Sequence, residues 1–200
     1  MKTLRLLLGD QLNSEHSWFD EINPNVVYVM AEMRQETDYV KHHIQKVVAF
    51  FLSMRNFSEE LINKGHQVVY YKISVSNNPH NLEQLILDLV EKNTIEQFEY
   101  QFPDEYRLDE QLKSICEKLV IPTKAVDSEH FYTSRNELAN FFKGKKQLLM
   151  ESFYRMMRKK HDVLMVGDQP LDGNGTLTTT TAINIKTKFR FRFLWNFIKM

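Results

Sequence analysis

Five short strand-like segments, residues 4–8, 26–30, 67–73, 98–102 and 124–127, are separated along this chain mainly by stretches whose apolar residues recur every three or four positions. The short segments read as strands and the 3.6-period stretches as helices. Strands joined through helices do not form hairpins with one another, because a crossover returns the chain parallel to its neighbour. The pattern therefore predicts an α/β fold, a Rossmann-like open, mostly parallel five-stranded sheet with helices on both faces. Val40, Ile44, Val47, Val48, Phe51, Met54, Phe57 and Leu61 predict one long amphipathic helix, with Gly65 as its stop. Leu82 to Val90 and Leu108 to Leu119 predict two more. Ser134 to Glu137 has capping-box spacing ahead of Leu138, Phe141 and Phe142, and residues 148–160 complete the helical set.

Composition narrows the classes. Two hundred residues with 42% apolar content suit one well-buried α/β domain plus a tail. The single Cys116 excludes an internal disulfide and cannot form a cysteine cluster for zinc or iron–sulfur, which predicts a reduced, cytoplasmic setting. No apolar run approaches a membrane span, and Leu6-Leu7-Leu8 is too short for the core of a signal peptide. The net charge of zero is uneven. Lys186, Lys188, Arg190, Arg192 and Lys199 against Asp172 give residues 171–200 a charge of +4, which leaves −4 on residues 1–170. A mildly acidic globular part makes a poor nucleic-acid footprint.

The first strand ends abruptly in Gly9-Asp10-Gln11-Leu12. Ligands of open α/β sheets bind at the carboxyl ends of the strands, so these residues face the expected crevice. Glycine admits a close backbone approach, Asp10 offers an acceptor and Gln11 an amide. A plain strand-to-loop turn, with Asp10 bonded to local amides, accounts for the same residues. Glu32, Glu36, Tyr39 and His43 form a second group. On a helix running from Glu36, Tyr39 and His43 lie within about 60° of Glu36 and border the crevice. Equally consistent is a helix start that favours Glu36 and Asp38, with Tyr39 at a core margin. His42 and His43 point about 100° apart on a helix and make a poor metal pair. Neither a nucleophile elbow nor a phosphate-binding glycine loop is present.

Leu8-Gly9-Asp10-Gln11-Leu12, then Tyr39-Val40-Lys41-His42-His43 with Met54-Arg55-Asn56-Phe57, and finally Met150-Glu151-Ser152-Phe153-Tyr154-Arg155-Met156-Met157-Arg158-Lys159-Lys160 occur in the order found in the photolyase-related proteins. Over roughly residues 4–174 the chain resembles this iron–sulfur bacterial branch of the cryptochrome and photolyase family, whose members include (6-4) photolyases. The resemblance implies an N-terminal antenna domain that binds the chromophore 6,7-dimethyl-8-ribityllumazine. It also implies that FAD and a four-iron cluster belong to a helical C-terminal domain, and are not expected in this chain. By the same resemblance Gly9, Asp10, Gln11, Leu12, Glu32, Glu36, Tyr39 and His43 are the chromophore-binding residues, with Glu36 facing a ring N–H. DNA is then a partner of the full-length parent, a light-driven repair enzyme (a lyase) or a blue-light photoreceptor. This chain alone is expected to be non-catalytic, and its own partner is the small-molecule chromophore.

Three parts follow: an antenna-binding α/β domain over 1–145, the start of an interdomain linker over 146–174, and an aberrant tail over 175–200. The family pattern after a turn like Gly167-Asp168-Gln169-Pro170 continues through glycines to Trp-Asn-Phe-Asp and then Asn-Arg. Here Gly175 to Ile183 is a threonine-rich run. Permitted codons for that run, GGA ACT TTG ACC ACA ACA ACC GCA ATA, become Trp-Asn-Phe-Asp-His-Asn-Asn-Arg-Asn when one T precedes them. A nucleotide lost in the gene or in its reading is therefore expected, with a genuine threonine-rich strand pair ending in an apolar tail as the alternative. The residues alone also allow a stand-alone nucleotide-binding α/β module, or single-stranded nucleic-acid binding by the Phe and Arg alternation in the tail.

Overall fold

A computed structural model describes residues 1–171 and 173 of the chain. Five strands, β1 (Thr3–Leu6), β2 (Val26–Ala31), β3 (Gln67–Tyr71), β4 (Gln97–Gln101) and β5 (Thr123–Val126), form one sheet in the order β3-β2-β1-β4-β5. Every neighbouring pair is parallel, so all five carboxyl ends lie on one edge. The expected mostly parallel sheet is entirely parallel, and the opening strand is its centre.

Alternation along the strands sorts the core into two layers. Leu4 and Leu6 of β1, Val29 of β2 and Phe98 and Tyr100 of β4 pack on helices α3 (Leu82–Lys92) and α4 (Tyr106–Lys118), chiefly through Leu85, Ile86, Leu112 and Ile115. Leu7, Tyr28 and Met30 turn the other way, onto Phe51, Met54, Phe57 and Leu61 of α2 (Ile44–Asn63). A central strand covered on both faces is mostly apolar, which is why residues 4–8 carry four leucines. Arg5 is the exception, and it is satisfied by Glu99 at 2.8 Å and by the Trp18 ring, 4.7 Å from the guanidinium.

The long helix expected from Val40 onward starts four residues later, and a separate short helix precedes it. The short α1 (Arg34–Asp38) ends before Tyr39, and α2 begins at Ile44 with His43 as its N-cap. The His43 backbone is extended, and its Nδ1 accepts a hydrogen bond from the Gln45 amide. That bond satisfies one of the free N–H groups of the new helix and restarts the helical register. Apolar spacing alone does not reveal such a break. Gly65, with φ of +99°, closes α2 as expected.

Contacts divide the chain into two units, Met1–Phe131 and Tyr132–Met200. In the described part of the second, α5 (Glu137–Phe142) and α6 (Met150–Lys160) bring Phe141 and Phe142 onto the buried Phe153. Glu137 accepts from Lys160 at 2.6 Å and from the Ser134 amide, but α5 starts later than the expected capping box, with Asn136 as N-cap and no side-chain capping bond. A small hairpin of β6 (Met165–Val166) and β7 (Gln169–Pro170) turns at Gly167, whose φ is +57°. The run from Gly175 lies outside the described residues. No helix among the described residues is long and apolar enough to cross a membrane.

Candidate functional site

In the first unit a cavity of about 220 Å³ opens at the carboxyl edge of the sheet. Its floor is the end of β1 and the turn beyond it, from Leu6 to Asp10. Phe50, Phe51 and Met54 of α2 form one wall, with Leu82 and Leu108 opposite, where α3 and α4 begin. The lining is mainly apolar with a few polar groups at the mouth, the usual makeup of a small-molecule site. β1 is the strand at which the order reverses direction, so the cavity occupies the switch-point crevice of an open α/β sheet.

Gly9 has a specific reason to be glycine. A Cβ there would run into the Phe50 ring and approach the Met54 sulfur to 2.9 Å. The bare backbone lets α2 settle over the end of β1 and leaves Phe50 as a cavity wall. Asp10 also lines the cavity. Its carboxyl is raised above the ordinary range, first by loss of water around it and then by the charges of Asp104 and Glu105, against the opposing effects of a backbone hydrogen bond and His130. Asp104 itself pairs with His130 at 3.2 Å.

Glu36 stands across the mouth. The Arg107 Nη2 donates to both of its carboxylate oxygens, at 3.0 and 3.2 Å, and the Arg107 guanidinium lies 5.1 Å from the Tyr39 ring centre. Arg107 is also bonded to Glu105 at 2.8 Å. That bond, outweighing partial burial, and the charge of Glu36 raise the guanidinium still further, so it stays cationic.

The structure thus gathers Gly9, Asp10, Glu36 and Tyr39 around one cavity, and it directs the other four named residues elsewhere. Glu32 is fully buried. It accepts from Arg55 at 2.6 and 2.9 Å, from the Tyr70 hydroxyl at 2.8 Å and from the Ile73 amide at 2.9 Å. Gln11, also buried, accepts from the Leu8 amide and donates to the Gln101 carbonyl, tying the β1 turn to β4. Leu12 packs with the α2-side core, and His43 caps α2. His42, not His43, lines the cavity, together with Gln35, Thr37 and Lys46. Sequence reasoning gave these residues no site role. Gln35 and Thr37 lie on α1 and Lys46 on α2, and the break between these helices leaves Tyr39 and His42 at the cavity. Among the described residues no group of three or more His, Cys, Asp or Glu is arranged to hold a metal ion.

These features define an α/β domain with a small-molecule cavity at its switch point. The family model of the deoxyribodipyrimidine photo-lyase-related proteins matches residues 5–176. Over 174 residues the chain is 32% identical to the (6-4) photolyase of Agrobacterium fabrum (strain C58 / ATCC 33970), an alignment covering 86% of this chain and 34% of that protein. The chain belongs to the deoxyribodipyrimidine photo-lyase-related family. It spans about a third of the length of that curated relative.

Proposed function

We propose that the Met1–Phe131 unit is an antenna-chromophore domain that binds 6,7-dimethyl-8-ribityllumazine in the cavity at the end of β1. The observation that carries this reading is the convergence of Gly9, Asp10, Glu36 and Tyr39 on one mainly apolar cavity of about 220 Å³. That volume is below the usual range for drug-sized ligands, roughly 300–1,000 Å³, and suits a flat bicyclic ring with its ribityl chain left toward the opening. The Glu36 oxygens that accept from Arg107 keep further lone-pair positions, so the carboxylate can take a pyrimidinedione N–H as well. Bound there, the lumazine would supply absorption of blue light.

In a longer family protein, that absorption would serve a light-driven DNA repair enzyme of the (6-4) type or a photoreceptor. The residues of this chain do not fit a four-iron cluster, which takes four thiolates where the sequence has Cys116 alone. FAD is likewise left to the longer proteins. The test is a titration of the full chain with the lumazine, followed by its absorption and fluorescence, with ATP as the contrasting ligand. Wild type should bind the lumazine. Glu36→Ala, which loses a charge-assisted hydrogen bond worth about 1.5–3 kcal/mol, should bind at least about tenfold more weakly. Equal affinities would reject the role of Glu36, and a response to ATP alone would reject the ligand.

A further inference from the structure

The segment that closes the cavity mouth is held almost entirely by polar contacts to one helix. α1 spans five residues, none of them buried, and its N-cap Met33 makes no side-chain capping bond. Tyr39 and Val40 beyond it are 61% and 49% exposed. A helix this short has no stability of its own in water. What fixes it is α4. Gln35 and Gln111 exchange amide hydrogen bonds at 2.5 and 3.2 Å, and Arg107 bridges Glu36 while its guanidinium faces the Tyr39 ring. Glu105 holds Arg107 in place from its own helix end. On the inner side Gln35, Glu36, Thr37, Tyr39 and His42 are cavity wall.

We propose that residues 34–43 form a strap over the cavity and that Arg107 is the positioning residue that latches it, so that the Gln35–Gln111 and Glu36–Arg107 contacts set how fast the site exchanges its ligand. The proposal rests on the lumazine reading only for the identity of the ligand. Exposed ion pairs are individually weak, which makes this latch one that opens readily without disturbing the sheet beneath it. Because one of its two contacts is ionic, salt loosens it.

Two measurements on the full chain test this, for wild type, Arg107→Gln, Arg107→Lys and Gln111→Ala. Without ligand, hydrogen exchange should be at least about threefold faster in residues 34–43 of Arg107→Gln and Gln111→Ala, with β1, β2 and β4 unchanged. With the lumazine bound, release followed by stopped-flow fluorescence should be about three- to fivefold faster in Arg107→Gln and partly restored in Arg107→Lys. Added salt should speed release from wild type but not from Arg107→Gln. Wild-type exchange in the strap of both loosened variants would overturn the proposal, as would unchanged release despite faster exchange. If wild type binds no lumazine, the chromophore reading fails and the exchange measurement alone decides the strap.

Discussion

Replacing Glu32 with Gln should cost stability and leave the cavity intact, although Glu32 directly follows β2 at the carboxyl edge of the sheet. Four donors converge on its buried carboxylate: two from Arg55, one from Tyr70 and one from the Ile73 amide. A carboxylate has about four acceptor positions, so the protein uses them all. The amide of Gln keeps one acceptor oxygen and turns an NH₂ toward donors that have nowhere else to bond. Breaking one side of a buried ion pair costs about 3–5 kcal/mol, and a charge-assisted hydrogen bond is worth about 1.5–3 kcal/mol. Arg55 is 35% exposed and can turn to water, which places the expected loss at about 2–4 kcal/mol. Burial alone would push the Glu32 carboxyl up, but the bonds from Arg55, Ile73 and Tyr70 outweigh it and hold the carboxyl below its usual range. A carboxyl lowered in the folded state stabilises the fold above its unfolded pKa of about 4.3, and that contribution drains away as pH falls through the folded value. Urea unfolding of wild type and Glu32→Gln should therefore show the full gap at neutral pH and a narrower gap in acid. Equal midpoints at neutral pH would refute the reasoning. So would a gap independent of pH, or weakened ligand binding with unchanged stability.

Gly9→Ala should disturb the cavity more than the fold, because the new methyl meets the Phe50 ring, the movable end of a side chain. Lumazine affinity should fall while unfolding shifts by no more than about 1–3 kcal/mol, and unaltered affinity would contradict the close approach. Gln101→Met should leave stability unchanged or raise it by about 1 kcal/mol, because neither side-chain polar atom of the buried Gln101 has a hydrogen-bond partner among the described residues. A clear loss in denaturant titration would show that its amide is engaged. The family match stops at residue 176, beside the run from Gly175 where a change of reading frame is expected. Resequencing the locus should reveal a downstream frame encoding a helical domain with four cluster cysteines, and an immediate unrelated gene there would sink the idea.

The sheet was legible because its strands are short and set between stretches of helical periodicity, and β2, buried in the sheet, is a continuous apolar run. The break at residues 39–43 was not, since it depends on a histidine serving as N-cap, a role that apolar spacing does not encode. Glu32 and Glu36 could not be told apart for a related reason. Both come shortly after β2, and what separates them is long-range: Arg55 and Tyr70 close on one, while Arg107 leaves the other at the cavity. Gln11 shows the same limit, its amide folding back onto Leu8 and Gln101 instead of reaching the crevice. Arg107, in the first turn of α4, is set apart only by the same long-range effect. Its partnership with Glu36 spans 71 positions of sequence and depends on the parallel order of the sheet.

The central claim is that the cavity at the end of β1 is a lumazine site, and a crystal structure of the full chain grown with 6,7-dimethyl-8-ribityllumazine tests it most directly. The account predicts ring density against Phe50 and Met54 above Gly9, with the pyrimidinedione edge within hydrogen-bond distance of Glu36. Density for the ring elsewhere on the protein, or an empty cavity at saturating ligand, would contradict it.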